Sequence, residues 1–308
     1  MTWQPTMKQL RGFTPPRARE DEGWPRLAKP PGWPRWKRGV KAWVRARRVQ
    51  VRRVEVAGAT AHCHVVGDGP DLVLLASPLV RARTYRPLVW RLARHFRVTV
   101  VELPGSGRAS SVERPWTVPE YAAWTAELIP RLVPERPWLM GHSDSGAFAL
   151  LVAAWCPDRI RGVVLADAVG ARRKRSVPRV VAARLLDGLL EPVLNVRAGW
   201  HLLSNVLKHP RSFFHRVRES SLVDVLGFAP WVSVPALVAW GRHDHTMPPE
   251  CAQRLAGRLR RARLHIGPGS HDAPVTRPRV FTQAVLDFTR EASEPLEETA
   301  VVEVTRAE

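Results

Sequence analysis

Short apolar runs alternate with helical patterns through most of the chain. Two segments, Arg53–Ala57 and Thr60–Val66, alternate between apolar and polar residues and predict an antiparallel pair of strands joined near Gly58. Further buried strands are predicted at Leu72–Leu75, Val98–Val101, Trp138–Met140, Arg161–Ala166, Pro235–Trp240 and Ala262–Ile266, and helices at Tyr85–His95 and Thr117–Leu128. Strands that alternate with helices predict a mostly parallel twisted sheet flanked by helices, which binds ligands at the carboxyl ends of its strands.

The pattern changes near residue 171. From there to residue 232 the apolar positions predict three helices without intervening strands, at Val177–Leu194, Ala198–Lys208 and Phe213–Leu226. The strand pattern resumes at Pro235. We therefore predict a helical insertion over residues 171–232 within an α/β core made of residues 51–170 and 233–290.

Residues 1–50 and 291–308 lie outside this α/β pattern. The first 35 residues are rich in proline and have no clear period, and the final 18 form an acidic tail. Trp36, Val40, Trp43 and Val44 recur at helical spacing among basic residues, which predicts a basic amphipathic helix over residues 36–48. One interpretation places this helix on an anionic membrane surface. The other packs its tryptophans on the chain's own core, as tryptophan-rich faces more often do.

One predicted strand-to-helix corner concentrates the candidate chemistry. The apolar run Trp138–Met140 stops at Gly141, turns through Ser143, and resumes with helical spacing after Gly146. Such a corner is too tight for large side chains at Gly141 and Ser145, and it lifts the hydroxyl between them into a strained, exposed position. The corner therefore predicts Ser143 as a nucleophile.

Two further polar residues follow predicted strands downstream. Asp244 comes just past the strand Pro235–Trp240, and His271 follows the strand Ala262–Ile266. Because the carboxyl ends of parallel strands meet at one edge of a sheet, we expect the three side chains to lie close together. A serine hydroxyl needs a base within hydrogen-bond reach, and that base needs an acceptor that holds its tautomer. Serine, aspartate and histidine in this chain order are typical of such a set.

Several stretches resemble the α/β-hydrolase superfamily: PALVAWGRHDHTMPPECAQRLAGRL, PGSHDAPVTRPRVFTQAVLDF, RIRGVVLADAVG and VVELPGSGRASS. The resemblance covers roughly residues 50–290. It implies Ser143 as nucleophile, His271 as general base and Asp244 as the residue that orients it, with the insertion as a helical cap. It also implies hydrolysis of a small or medium acyl ester, thioester or lactone through an acyl-enzyme, without a cofactor or metal. Relatives that open epoxides or remove halide carry aspartate at the corner, so a serine there disfavours those reactions.

The nucleophile and the acid each have a second candidate. Ser145 also carries a hydroxyl, although it occupies the small position of the corner, and Asp167 follows the preceding strand, where some relatives place the acid. Asp144 suits the start of the helix, where a carboxylate interacts favourably with the helix dipole. The other histidines near these motifs are predicted to be structural or to line the site: His142, His243, His245 and His265.

The loop after the third strand departs from the superfamily pattern. Relatives have His-Gly there, whereas this chain has Ala76-Ser77-Pro78-Leu79. In relatives the residue after His-Gly gives one N–H of the oxyanion hole, and that register falls on Pro78, which has no N–H. The second donor, the N–H of Asp144, is retained. We predict that Leu79 supplies the other donor; the alternatives are a slow enzyme, or a ligand-binding or regulatory protein that does not hydrolyse its ligand. A further alternative function is a membrane-peripheral lipid hydrolase, which would use the basic segment 36–48 with Trp36 and Trp43.

Composition adds a strong positive charge. The 308 residues carry a net charge of +20, of which residues 1–53 contribute +12. The insertion 171–232 holds 11 Lys or Arg against four acids, which either attract an anionic substrate or carrier or form a solvated face, the interpretation that we favour. Nucleic acid is not an expected partner, because no recognised binding motif is present. Three cysteines without metal spacing, no apolar run of membrane-spanning length and no signal-peptide pattern predict a cytoplasmic protein.

Overall fold

The structure, a computed structural model, describes residues 49–171 and 176–294. Within these ranges the chain forms one sheet of eight strands and nine α-helices. The strands are β1 (Gln50–Val56), β2 (Ala59–Val66), β3 (Asp71–Leu75), β4 (Arg97–Glu102), β5 (Trp138–His142), β6 (Gly162–Ala166), β7 (Ala236–Gly241) and β8 (Ala262–Gly267). The helices are α1 (Arg86–Leu92), α2 (Val118–Leu132), α3 (Asp144–Trp155), α4 (Val177–Leu190), α5 (Pro192–Lys208), α6 (Pro210–Leu222), α7 (Pro249–Ala256), α8 (Ala273–Thr276) and α9 (Pro278–Glu291).

The strands lie in the order β1-β2-β4-β3-β5-β6-β7-β8. β2 pairs antiparallel with β1 and with β4, and the other neighbouring pairs are parallel. This confirms the mostly parallel sheet flanked by helices that the sequence predicted. Because β5, β6, β7 and β8 run the same way, the loops that follow β5, β7 and β8 emerge together at one edge.

Helices cover both faces of the sheet. On one face Val73 and Leu75 of β3 pack in the same buried layer as Phe148 of α3. On the other face Leu72 and Leu74 pack with Leu92 of α1. Successive residues of a strand point to opposite faces, so a strand buried on both sides must be apolar at every position. This explains the continuous apolar runs from which the strands were predicted.

The predicted helix Val177–Leu194 was wrong at its end, because α4 stops at Leu190. Glu191 has φ −128° and ψ 63°, and Pro192 opens α5. A proline has no N–H and crowds the preceding residue out of the helical conformation, so it starts a new helix more readily than it continues one.

The predicted helix Phe213–Leu226 was wrong at both ends. α6 begins at Pro210, which takes the first helical position, where a missing N–H removes no hydrogen bond. It ends at Leu222, because Val223 is extended, with φ −64° and ψ 139°. The three helices α4, α5 and α6 pack on one another and join the sheet only through loops.

None of the helices in the described part of the chain is both long and apolar enough to span a membrane. The predicted amphipathic helix over residues 36–48 and most of the predicted acidic tail lie outside the described residues. The cytoplasmic location inferred from the sequence stays a prediction.

Candidate active site

Ser143 lies at the corner between β5 and α3, with φ 58° and ψ −123°. Residues other than glycine rarely adopt positive φ, and such strain is concentrated at functional sites. The corner also depends on Gly141, because a Cβ there would lie 2.1 Å from the carbonyl oxygen of Ser145. Gly141 and Ser145, on either side of the nucleophile, are therefore packed as closely as the sequence predicted, with no room for a larger side chain at Gly141.

Ser143, His271 and Asp244 form a continuous chain of hydrogen bonds. The Ser143 Oγ lies 2.9 Å from His271 Nε2, and His271 Nδ1 lies 2.9 Å from Asp244 Oδ2. The other oxygen of Asp244 accepts the N–H of Met247 at 2.6 Å. Since a carboxylate only accepts, the imidazole proton is on Nδ1, and Nε2 is free to accept the serine proton. The arrangement can therefore activate the hydroxyl.

Burial favours the neutral imidazole of His271. All three side chains of the hydrogen-bonded chain are buried, and burial lowers the pKa of His271. The positive charge of Arg184 acts in the same direction. A neutral imidazole is the form that takes up a proton, so this environment suits a general base.

Asp167, the alternative acid, makes no hydrogen bond to His271. Its Oδ1 accepts the N–H of Gly241 at 2.8 Å, and its Oδ2 has no donor within the described ranges. Burial raises the pKa of Asp167, and the neighbouring charge of Asp244 adds to this effect. Burial also raises the pKa of Asp244, whereas the Met247 N–H opposes the rise. Of the two carboxyls, Asp167 is therefore the one suited to hold a proton.

Ser145 and Asp144 are both buried beside the corner. The Ser145 hydroxyl donates to the carbonyl of Ala76 at 2.9 Å, so it ties the corner to the loop after β3. Asp144 is the first residue of α3, as predicted, and its Oδ1 accepts the hydroxyl of Ser220 from α6. Burial raises the pKa of Asp144.

Asn205 of α5 holds the loop that contains Pro78 and Leu79. Its Nδ2 donates to the carbonyls of Pro78 and Val80, both at 3.1 Å, and its Oδ1 accepts the N–H of Gly107 at 3.1 Å. In a trans peptide the C=O and the next N–H point in opposite directions, so the Leu79 N–H points away from Asn205. Leu79 lines the same cavity as Ser143.

Two backbone amides near the nucleophile are free to bind an oxygen. Across the described residues, the N–H groups of Leu79 and Asp144 donate to no acceptor. Amides left unpaired and oriented in advance are what an oxyanion hole requires. The structure thus offers Leu79 a place in the role that Pro78 cannot fill.

A second hydrogen-bonded chain joins the oxyanion loop to the loop of the base. The Ser77 N–H donates to the hydroxyl of Tyr85 at 3.0 Å, and that hydroxyl lies 2.6 Å from His142 Nδ1. His142 Nε2 lies 2.8 Å from the carbonyl of His271, so Nε2 carries the proton and Nδ1 accepts from the tyrosine. Burial lowers the pKa of His142 to about 4. His142 is therefore a neutral structural residue, as the sequence predicted.

Asp187 of α4 fixes the loop that carries Asp244. Its side chain is fully buried and accepts the N–H groups of His245 and Thr246 at 3.0 and 2.8 Å. It also bonds His245 Nδ1 at 2.9 Å and the Thr246 hydroxyl at 2.6 Å. These two residues directly follow the acid, so a helix of the insertion holds the acid loop in place.

Arg184 of α4 and Glu191, just past the helix, contact the loop of the base in a similar way. Arg184 pairs with Asp272, the residue after His271, at 2.7 Å. Glu191, just past the helix, accepts the N–H of Ser270 at 3.1 Å. The insertion therefore holds the residues on both sides of His271.

A cavity of about 810 Å³ opens above the nucleophile. Ser143 and His271 lie in its wall, and the insertion supplies most of the rest, for example Val180, Leu185 and Phe213. Most of this lining is apolar, which is typical of small-molecule sites. The cavity therefore suits an apolar group held against the serine.

The remaining histidines lie away from the reacting atoms. His243 and His245 are exposed and His265 is half-buried.

His62, His64 and Glu102 on β2 and β4 lie with ligand atoms within 4.8 Å of one another, a spacing that could hold a metal ion. Both Glu102 oxygens already accept hydrogen bonds, at 2.8 Å, from the backbone of Ala82 and Arg108. We infer that Glu102 holds the loops that contain Ala82 and Arg108, and we do not assign the cluster to a metal.

Sequence reasoning missed Tyr85, Arg184, Asp187 and Asn205. None of them belongs to a local motif, and each contacts a residue far away in the chain. Polar side chains inside predicted helices, such as Asp187 and Asn205, were the available signal, since such a residue must find a partner when it is buried.

Comparisons with known proteins agree with this geometry. The model of the alpha/beta hydrolase family matches residues 72–284. "Putative carbamate hydrolase RutD" from Caulobacter sp. (strain K31) is 28% identical over 73% of this chain and 94% of its own length. A pimeloyl-[acyl-carrier protein] methyl ester esterase from Vibrio vulnificus (strain YJ016) is 27% identical over 74% of this chain and 97% of its own length.

The structural comparison gives the same family. The crystal structure of the enol-lactonase from Burkholderia xenovorans LB400 has a TM-score of 0.68 and 27% identity, and covers 78% of this chain and 100% of its own. Since the family match spans more than half of the sequence and the relatives are hydrolases and esterases, this protein belongs to the alpha/beta hydrolase family and is an enzyme of the esterase-like type.

Proposed function

We propose that this protein is a serine esterase that cleaves a small or medium acyl ester, thioester or lactone through an acyl-enzyme on Ser143. The observation that carries the proposal is the hydrogen-bonded chain from Ser143 through His271 to Asp244, with both distances at 2.9 Å. The strained corner and the cavity above the hydroxyl support it further. The reaction uses side chains and backbone amides of this chain alone.

In the first half of the reaction the Ser143 oxygen attacks the ester carbonyl carbon while its proton passes to His271 Nε2. Asp244 stabilises the imidazolium that forms, since it already accepts the Nδ1 proton. The carbonyl oxygen becomes an oxyanion, which the N–H groups of Leu79 and Asp144 stabilise. When the intermediate collapses, the imidazolium gives its proton to the leaving alcohol.

The second half repeats these steps with water. His271 takes a proton from a water molecule, whose oxygen attacks the acyl-enzyme carbonyl. The second oxyanion occupies the same two amides, and its collapse releases the carboxylic acid and returns the proton to Ser143. The same base therefore serves both halves.

The cavity favours an apolar acyl group. Its walls include Val180, Phe213 and Val217, and we assign residues 171–232 the role of a cap that shields the acyl-enzyme from bulk water. The names of the relatives describe a carbamate hydrolase, a methyl ester esterase and an enol-lactonase. All three names describe attack on an acyl carbon, which agrees with the proposed reaction class.

Labelling with a fluorophosphonate tests the nucleophile. The natural chain should be labelled and should hydrolyse short p-nitrophenyl esters, and Ser143→Ala should lose both activities while it stays folded. Ser145→Ala is the matched control, because it removes a hydroxyl two residues away and leaves the proposed nucleophile in place. Mass mapping should find the adduct on Ser143 in the natural chain and in the control.

Two outcomes would contradict the proposal. Labelling that persists in Ser143→Ala and maps to Ser145 would show that the nucleophile is misassigned. A folded natural chain that is neither labelled nor active on any short ester would favour the rival function, a ligand-binding protein on the same fold.

A further inference from the structure

Exposed apolar side chains are concentrated on the helices of the insertion. Sixteen large apolar side chains are exposed in the part of the chain that the structure describes, and ten of them lie on α4, α5 and α6. Isolated exposed apolar residues are normal on a protein surface, whereas a contiguous group marks a contact with a partner or a membrane. We call the following six residues the outer helix face: Leu185, Leu189, Trp200, Leu203, Leu207 and Phe214.

The outer helix face follows the helical repeat. Leu185 and Leu189 are four residues apart on α4, and they are 65% and 75% exposed. Trp200, Leu203 and Leu207 are spaced by three and four residues on α5, and the first and last are 69% and 72% exposed. Residues at these spacings share one side of a helix, so each helix presents an apolar stripe outward.

This surface continues into the cavity of the nucleophile. Leu185, Leu189 and Phe214 are exposed on the outside and also line the cavity that contains Ser143. Apolar side chains therefore continue from the outer surface into the lining of the cavity that contains the serine. An opening of this kind suits a substrate that arrives from an apolar phase.

The charges of the insertion are sorted between its two sides. Asp187 and Glu191 are buried and bonded to the loops of the acid and the base, and Glu219 is half-buried opposite Arg216. Among the side chains of the three helices whose burial is described, the exposed basic ones are Arg179, Lys208, Arg211 and Arg218. Asp187, Glu191 and Glu219 thus face inward, whereas Asp224, beyond the end of α6, is exposed. The described solvent side of the three helices therefore carries more positive than negative charge around its apolar stripes.

We propose that the outer helix face docks on an anionic lipid bilayer and admits apolar esters from that bilayer to the cavity. Helices that combine apolar side chains with surrounding Lys and Arg lie in the interface of anionic membranes, because burial of the apolar side and attraction of the cations act together. Docking itself does not depend on hydrolysis, whereas the admission of esters rests on the proposed function.

The charge of the chain argues against the alternative occupant. The segment 36–48 contains Trp36 and Trp43, but it is basic, like the insertion. Two basic surfaces repel each other, whereas both are attracted to an anionic bilayer. The bilayer therefore fits both surfaces, and the segment fits this one poorly.

Co-sedimentation of the full chain with lipid vesicles tests the docking. One set of vesicles is made of phosphatidylcholine alone and the other contains phosphatidylglycerol as well. The natural chain should bind the second set, and added salt should weaken the binding. The double substitution Trp200→Glu with Leu207→Glu should lower the affinity by about 10-fold or more, because it removes two exposed apolar side chains and adds two negative charges.

The matched control is the double substitution Val51→Glu with Leu264→Glu. These two side chains are 58% and 40% exposed, and they lie on β1 and β8, the opposite edges of the sheet. The control should bind vesicles as the natural chain does. Trp200 and Leu207 do not line the cavity, so both double variants should hydrolyse a soluble short-chain ester at the natural rate.

The docking is refuted if the natural chain does not bind vesicles. It is also refuted if the chain binds in a salt-sensitive way but Trp200→Glu with Leu207→Glu binds equally well. A natural dimer that this variant dissociates, without vesicle binding, would make the face an interface between copies. A lowered thermal midpoint of the variant alone, again without vesicle binding, would show that the chain covers its own face. Vesicle binding as expected without any ester hydrolysis would retain the docking and refute the proposed function instead.

Discussion

Asn205→Leu tests how the insertion supports the oxyanion hole. The substitution keeps a branched side chain of similar shape but removes the two N–H donors that hold the carbonyls of Pro78 and Val80. It also removes the acceptor of the Gly107 N–H. Because the peptide between residues 78 and 79 is trans, the bond to the Pro78 carbonyl sets the direction in which the Leu79 N–H points.

The size of the effect follows from the number of groups left unpaired. Asn205 is 1% exposed, so water does not readily replace its hydrogen bonds. Each buried group without a partner costs about 1–3 kcal/mol, which favours a loop that rotates its carbonyls away from the new leucine. Loss of one oxyanion donor typically lowers turnover by about 10²–10³-fold. We therefore expect kcat to fall by about 10²-fold, with KM little changed because most of the cavity wall remains.

Steady-state kinetics with a soluble p-nitrophenyl ester measure this split between kcat and KM. Circular dichroism and thermal unfolding establish that the variant is folded at the assay temperature. Ser221→Ala is the matched control, because it removes a buried hydroxyl of α6 that bonds only the Val217 carbonyl within its own helix. The reasoning is refuted if folded Asn205→Leu keeps the natural kcat, or if Ser221→Ala lowers kcat as much.

Three further predictions concern the site. Asp244→Asn should lower kcat by about 10⁴-fold and Asp167→Asn by less than about 10-fold, and the reverse order in the same kinetic assay would show that the acid is misplaced. Pro78→Gly should leave kcat unchanged or lower it, whereas a rise of about 10-fold or more would mean that the natural oxyanion hole lacks a donor. Burial lowers the pKa of His142 to about 4 from 6.5, so the stability linked to this residue is present above pH 6.5 and is lost as the pH falls through 4. His142→Gln should therefore reduce the fall in the urea-measured free energy of unfolding between pH 6.5 and 4 by about 3 kcal/mol, and identical pH curves would contradict the assignment.

The sequence predicted the features that depend on neighbouring residues. Apolar runs marked strands such as β3 and β5, because a strand covered on both faces must be apolar throughout. The corner around Ser143 was visible because it requires small residues at fixed spacing, as the 2.1 Å contact at Gly141 shows. These are local requirements, and the family match over residues 72–284 agrees with them.

Local patterns were weaker at the ends of helices. The apolar spacing of α4 continues past Leu190, and only the backbone at Glu191, ahead of Pro192, shows where the helix stops. Proline was present in the sequence as a signal, but its effect depends on whether the chain continues or turns at that point.

The tertiary structure decided between the candidates that the sequence left open at the site and supplied the partners that no motif marks. Asp167 and Asp244 both follow strands of the sheet, and the sequence does not show that the second bonds His271 while the first bonds the N–H of Gly241. Asn205 and its partner Pro78 are 127 residues apart, so no local period relates them. The outward direction of the apolar stripes on α4 and α5 was likewise decided by the tertiary structure. Helical spacing tells which residues share a side, but what covers that side depends on how distant segments pack, since burial is a property of the whole fold.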